Sequence, residues 1–213
     1  MKQQNKKMKQ TFTNSAFWDD RYQDEKYIYG QHPNDFLRDN ASLFKNGDAV
    51  LTLAEGEGRN AVFLAQHGCK VRGVDFSVAG RAKALQLAQK QGVTVDYDVA
   101  DLTQYDMGYA KWDGIVSIFC HLSESNRSAL YQSIEQALKP RGIFLLESYN
   151  KKQLEFDTGG SRELSHLLSL YELKKAFESF EIIVAQDVER AIVEGNSHNG
   201  ISSVTQFIAR KSM

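Results

Sequence analysis

Three short clusters in this chain join carboxylates to turn-forming or apolar neighbours: Glu55-Gly56-Glu57-Gly58, Asp75-Phe76-Ser77 and Asp101-Leu102. Each follows a stretch that reads as a strand. A carboxylate closing a second strand can accept both hydroxyls of an unphosphorylated ribose. An acceptor after the third strand, here Asp101, can take the exocyclic amino group of adenine while Phe76 and Leu102 cover the ring. Gly56 and Gly58 would let backbone approach a ligand closely, beside the free amide donors of a helix start. Together the clusters specify an adenosine with free ribose hydroxyls, a moiety shared by several cofactors.

The elements that must carry these clusters follow from periodicity and punctuation. Residues 49–53 form a first strand, and a helix over 59–67 ends at Gly68. A second strand over 70–74 runs into Asp75, and Ser77 can cap a helix through Gln91 that stops at Gly92. Third and fourth strands are expected over 93–97 and 114–119, then a helix over 123–138 closed by Lys139-Pro140-Arg141-Gly142, then a fifth strand over 143–148. Beyond Asn150 come a polar stretch to Ser161, a helix capped by Ser169 with Glu172 at the capping-box position, and strands over 181–193 and 201–210.

Alternating strands and helices argue for a parallel sheet, and the last two strands, joined by a short turn, must pair antiparallel if they are neighbours. The expected fold is α/β: a Rossmann-like, doubly wound, seven-stranded mixed sheet, five parallel strands plus a C-terminal antiparallel hairpin, with helices on both faces. If the sixth strand runs parallel to the first five, its turn into the seventh emerges beside the cofactor loops. One domain is expected, comprising a disordered basic arm (1–13), an N-terminal helical lid (14–45), a cofactor-binding half (46–150) and a substrate loop, helix and hairpin (151–213).

Composition narrows the partners. A formal net charge of −1, from 26 basic and 27 acidic residues, provides no field to gather nucleic acid. The apolar runs are too short to span a bilayer, and two cysteines, Cys69 and Cys120, with no secretory leader point to the cytoplasm. Monomer and dimer both stay open.

Among adenosine cofactors, a nicotinamide dinucleotide competes, because Gly56-Glu57-Gly58-Arg59-Asn60-Ala61 fits G-x-G-x-x-A. A Tyr-x-x-x-Lys pair at Tyr171 and Lys175 would suit a short-chain dehydrogenase, though the same spacing recurs at Tyr22 and Lys26. Glu55 and Glu57 oppose a pyrophosphate electrostatically, whereas the ammonium and sulfonium of S-adenosylmethionine suit acids. A non-catalytic adenosine-binding module is the third reading.

The chain resembles the class I S-adenosylmethionine-dependent methyltransferases, and among them the tellurite-resistance and thiopurine methyltransferase-like small-molecule group. The likeness covers residues 17–211 and includes Trp18-Asp19-Asp20-Arg21-Tyr22, Tyr29-Gly30-Gln31-His32-Pro33-Asn34, Glu55-Gly56-Glu57-Gly58-Arg59-Asn60, Val74-Asp75-Phe76-Ser77, Asp101-Leu102 and Thr158-Gly159-Gly160. The resemblance implies that Glu55 to Gly58 border the methionine part of the cofactor, Asp75 the ribose, and Asp101-Leu102 the adenine edge. Thr52 and Ala54 stand where this superfamily has an acid within the first strand and a glycine at its end, leaving Glu55 or a water to meet the cofactor's amino group.

Methyl transfer from a sulfonium is an in-line displacement that needs alignment and dryness, and a base only if the nucleophile carries a proton. No metal site is expected. The cofactor set is Trp18, Tyr29, Glu55, Gly56, Glu57, Gly58, Asn60, Asp75, Phe76, Ser77, Asp101, Leu102 and Phe119. The acceptor is a small molecule: a thiol, a metalloid oxyanion, a halide or a small metabolite. Its side is expected from Phe119-Cys120-His121, Tyr149 and residues 194–198, with His121, His198 and Tyr29 as candidate catalytic groups; either histidine could instead be a loop residue bonding backbone or water. Cys120 reads as a small hydrophobe. Trp18 and Tyr27 could close over the cofactor or simply pack, and Gly159-Gly160 could hinge a substrate loop.

Overall fold

The computed structural model describes residues 15–195 and 198–213, so the expected arm over 1–13 lies outside the described residues. The strands are β1 (Ala49–Leu53), β2 (Lys70–Asp75), β3 (Asp96–Val99), β4 (Trp112–Ile118), β5 (Leu138–Tyr149), β6 (Glu181–Glu194) and β7 (His198–Arg210). They form one sheet in the order β3-β2-β1-β4-β5-β7-β6. The first five are parallel, and β7 is antiparallel to both β5 and β6. β6 therefore runs with the first five, and the β6–β7 turn emerges at their carboxyl edge.

The helices are α1 (Ser15–Tyr22), α2 (Asp35–Asp39), α3 (Arg59–Gln66), α4 (Val78–Lys90), α5 (Glu124–Ala137) and α6 (Leu170–Ala176). Alternation along the strands feeds two cores, as the period-2 geometry of a strand requires. Val50, Val71, Val116 and Leu145 pack with Leu64 and Leu87 of α3 and α4 on one face. Leu51, Val74, Ile115 and Phe144 pack with Ile134 of α5 and Leu173 of α6 on the other. No helix among the described residues is long and apolar enough to cross a membrane.

Four boundaries differ from expectation, each for a local reason. The third strand starts at Asp96, not at 93, because Gly92 takes φ +69° and the Val93 amide turns back to the Ala88 carbonyl, closing α4 in a Schellman-type cap. Lys139-Pro140-Arg141-Gly142 bulges within β5: Trp112 pairs with Leu138 and Gly114 already with Ile143. The final turn is tighter than 194–200, since Glu194 pairs with His198 across the hairpin. The capping box at α6 does not form. Ser169 makes no side-chain cap, and Glu172 instead grips Arg127 of α5 with both oxygens, at 2.8 and 2.9 Å.

Gly58, at the start of α3 with φ +90°, lies so close to α4 that a Cβ there would stand 2.5 Å from the Ala84 Cβ. Gly92 is equally left-handed, at φ +69°, but has nothing within 4 Å. Gly58→Ala combines overpacking with backbone strain and is expected to cost about 2–4 kcal/mol in urea unfolding, against about 1–2 kcal/mol for Gly92→Ala.

Candidate active site

β1 and β4 are neighbours whose chains continue to opposite sides of the sheet, so a crevice opens beyond their carboxyl ends. The residue after each strand bends sharply: Ala54 has φ +49° and Phe119 φ +51°, left-handed conformations rare for residues with side chains. Ala54 thus adopts the conformation that a glycine at this place would favour. Both residues line two adjoining cavities, whose shared wall also includes Trp18 and His121. Asp75, Phe76, Asp101, Leu102 and Cys120 complete the first cavity. Tyr29, Glu55, Glu57, Arg59, Asn60 and His198 line the second.

The carboxylates are less free than their spacing suggests. Asp75 accepts the amides of Gly56 at 3.0 Å and Ser77 at 2.9 Å, and burial pushes its carboxyl up to about 6. Glu55 Oε1 accepts the amides of Asn60 and Ala61, at 3.0 and 2.9 Å. It thereby caps α3, whose N-cap, Gly58, has no side chain, and the amide donors expected to be free there are taken. Burial raises the Glu55 carboxyl to about 7. Glu57 pairs with Lys83 at 2.6 Å and accepts the Ile28 amide at 2.8 Å, so its charge is spent within the protein.

Two further expectations change. Gly56 and Gly58 lie outside both cavity walls and make room for protein: a Cβ on Gly56 would stand 2.6 Å from the Tyr22 hydroxyl, one on Gly58 against Ala84. Ser77 is fully buried, caps α4 by accepting the Gly80 amide, and donates to Asp19 at 2.6 Å. Its hydroxyl is a structural cap. Cys120 packs against the core as a small hydrophobe should, but it also lines the first cavity, and burial pushes its thiol up to about 12.

The N-terminal segment covers the crevice through specific ties. Asp19 accepts the Ser77 hydroxyl and the Ala79 amide, Tyr27 donates to the Lys83 carbonyl at 3.0 Å, and Arg21 Nε donates to the Tyr29 hydroxyl at 2.9 Å. Trp18 stacks on Tyr22 with centroids 5.6 Å apart and faces both cavities, whereas Tyr27 packs against Lys83. Gly160, of the Gly159-Gly160 pair, clears space for the Tyr149 ring, which a Cβ would approach to 2.7 Å. Tyr171 of the Tyr-x-x-x-Lys pair is 76% exposed on α6 and lines neither cavity, so no dehydrogenase dyad is assembled.

At the second cavity, His198 lies among Tyr29, Phe119 and Tyr149, with ring centroids at 4.6, 4.8 and 5.5 Å. His121 stacks near Tyr149, and burial together with His198 pushes its imidazole down to about 3. Beneath these rings is a polar network that sequence reasoning missed. Asn34 Nδ2 donates to Glu147 at 2.7 Å and to Glu194 at 2.8 Å, Arg59 pairs with Glu194 at 2.6 Å, and Arg190 pairs with Glu147 at 2.5 Å. The available signal was Glu147 itself, a charge directly after the apolar run Ile143-Phe144-Leu145-Leu146, which demands a buried partner.

The raised carboxyls make stability depend on pH. An acid whose folded value exceeds its unfolded one binds its proton more tightly when folded, so stability falls as pH rises through that interval. For Asp75 the interval runs from 3.8 to about 6, and for Glu55 from 4.5 to about 7. Glu194 acts oppositely: burial pushes it up, but Arg59 and His198 outweigh this and hold it at about 2, so its contribution is lost as pH falls below 4.5. Urea midpoints are expected to decline from pH 5 to 7, and Glu55→Gln to flatten that decline by about 1–3 kcal/mol.

Comparison with known proteins agrees with this geometry. Residues 50–142 match the family model described as a methyltransferase domain. The chain is 28% identical over 177 residues to a protein of Geobacillus sp. (strain WCH70) named as a methyltransferase, covering 76% of this chain and 70% of that one. In fold it is similar to TehB from Haemophilus influenzae, with a TM-score of 0.70 at 17% identity over 93% of this chain and 67% of that one. It is also similar to an S-adenosylmethionine-dependent methyltransferase from Methanosarcina mazei, with a TM-score of 0.63 at 18% identity over 85% and 99% of the two chains. The chain thus carries a methyltransferase domain on a Rossmann-like seven-stranded sheet, and its activity is that of an S-adenosylmethionine-dependent methyltransferase.

Proposed function

We propose that this methyltransferase holds its cofactor across the two cavities and passes the methyl group to a small molecule bound at the second. One observation carries the reading: Asp75, Phe76, Asp101 and Leu102, from the ends of two different strands, line one cavity that adjoins Glu55, Tyr29 and His198 in the next. Asp75 keeps lone pairs beyond its two backbone bonds, enough for ribose hydroxyls, and Asp101 can accept the adenine amino group between Phe76 and Leu102. Glu55, buried and raised, suits the ammonium of the methionine part, whose charge would favour the ionised carboxylate. Trp18 and Tyr29 cover the bound molecule, and Asn60 and Phe119 complete its walls.

The groups present do not suit a pyrophosphate. Arg59, the guanidinium lining the second cavity, is committed to Glu194, and the Asn60 and Ala61 amides are committed to Glu55. S-adenosylmethionine supplies a methyl carbon activated by its sulfonium; the chain's part is to orient the acceptor and exclude water. Placement in the tellurite-resistance and thiopurine methyltransferase-like group belongs to this proposal and rests on the motif likeness. A cytoplasmic location belongs to it as well, resting on the free thiols of Cys69 and Cys120.

Calorimetry tests the cofactor site. S-adenosylmethionine and S-adenosylhomocysteine are expected to bind with micromolar affinity and NAD not at all; Asp75→Ala should weaken binding at least about tenfold, with loss of charge-assisted hydrogen bonds. Binding of NAD without either sulfur nucleoside would overturn the reading. Because an ammonium beside Glu55 lowers its affinity for the proton, S-adenosylmethionine binding at pH 6 should release protons, seen as a buffer-dependent heat that Glu55→Gln removes.

A further inference from the structure

We propose that His198, positioned by Glu194, takes a proton from the methyl acceptor, and hence that the acceptor is a small molecule whose nucleophilic atom bears O–H, S–H or N–H. This rests on the reading above of the second cavity as the acceptor site. His198 opens β7 directly opposite Glu194, the last residue of β6, and its Nδ1 stands 3.6 Å from Glu194 Oε2. That carboxylate is held ionised by Arg59 at 2.6 Å and by the Asn34 amide at 2.8 Å, so Nδ1 faces a fixed negative charge and carries the ring proton. The rings of Tyr29, Phe119 and Tyr149 pack around the imidazole. Nδ1 is buried and has no hydrogen-bond partner nearer than that carboxylate, which leaves Nε2 as the ring nitrogen for the cavity that His198 lines.

The groups around the ring keep it a neutral base. Burial lowers its proton affinity, Glu194 raises it, and Arg59 of α3 and Arg21 of the N-terminal segment lower it again, for a net decrease. Tyr29 and Tyr149 cannot serve instead, because burial raises both phenols and Tyr149 stays fully protonated. His121, after β4, is pushed down to about 3, and no carboxylate is among the groups that shift it. His198 has an acid, Glu194, poised to stabilise its cationic form as it appears.

The step balances as follows. The acceptor's X–H proton moves to Nε2 of His198, and the lone pair so freed forms the X–C bond to the methyl carbon. The S–C bond breaks, and its electron pair stays on the sulfur of the departing S-adenosylhomocysteine. A halide, or a metalloid oxyanion attacking through its central-atom lone pair, has no such proton and no use for this pair.

Nitrogen-15 NMR of the labelled full-length protein at pH 7, assigned by comparison with His198→Gln, should show His198 protonated at Nδ1 and bare at Nε2. Turnover would be read as S-adenosylhomocysteine formed with phenol and 2-mercaptoethanol, both protonated at pH 7, against iodide and tellurite. His198→Gln should lower kcat for a protic acceptor by about 10²–10⁴-fold, with S-adenosylmethionine affinity by calorimetry changed less than threefold. Glu194→Gln should lower kcat and move the acid limb of its pH profile to lower pH, since the imidazole loses its anionic partner. An Nε2–H tautomer, protic turnover that survives His198→Gln within threefold, or turnover confined to iodide or tellurite would each overturn the assignment. Failure of the wild-type protein to bind S-adenosylmethionine would instead overturn the cofactor reading itself.

Discussion

Two carboxylates buried between strands and cover, Glu147 and Glu194, organise the cavity-bearing edge of this protein. Left alone, either would be expelled or protonated at a cost of several kcal/mol. Arg190 and Gln206 satisfy Glu147, Arg59 and His198 face Glu194, and Asn34 bridges the two with a single side-chain amide. Two guanidinium groups offset two carboxylates, so the cluster is neutral while every member is in place. Removing one member would strand a charge, which is why such a cluster specifies a single arrangement. The arrangement it specifies joins β5, β6, β7, the start of α3 and the N-terminal segment at one point.

That junction explains why the cover is seated and not loose. Asn34 donates its backbone amide to Asn60 and caps α2 through Leu37, so the segment before β1 is registered against the glycine turn. Glu57 then holds the amide of Ile28, and Asp19 holds the start of α4. Trp18 and Tyr29 reach the cavities as a result of these bonds. The glycines of the turn serve the same end, since Tyr22 and Ala84 occupy the space that side chains would need. A turn that formally matches a dinucleotide fingerprint is here used for protein packing, and its carboxylates for capping and pairing.

The positive-φ residues Ala54 and Phe119 mark where this scaffold meets chemistry. Strain of about 1–3 kcal/mol at such positions persists only where neighbours over-determine the backbone. Here the neighbours are the paired ends of β1 and β4 and the ring cluster around Phe119. The bend turns Phe119 toward His198 and Tyr149, so the aromatic wall of the second cavity follows from the path of the chain at the strand end.

Much of this was legible before any coordinates. Apolar runs, Ser77 before one helix, and Gly68 and Gly92 after helices are local signals, and local propensity and core burial agreed on them. Topology then brought Asp75, Phe76, Asp101 and Leu102 to one cavity, because ligands in a doubly wound sheet collect at the carboxyl edge. The sequence could not say which partner each carboxylate would take. Glu172 read as a cap and became the partner of Arg127; Glu57 lines the second cavity but is also the partner of Lys83; Glu147 carried no expectation and became a hub. A charged side chain has several possible partners, and the choice among them is made by residues brought close from as far as 160 positions away, as Asn34 is to Glu194. The sequence by itself determined the elements, their order and the sheet edge at which the acidic clusters gather, since those depend on neighbours in the chain. Only the tertiary structure decided which acids stay free for a ligand, because desolvation and pairing depend on neighbours in space.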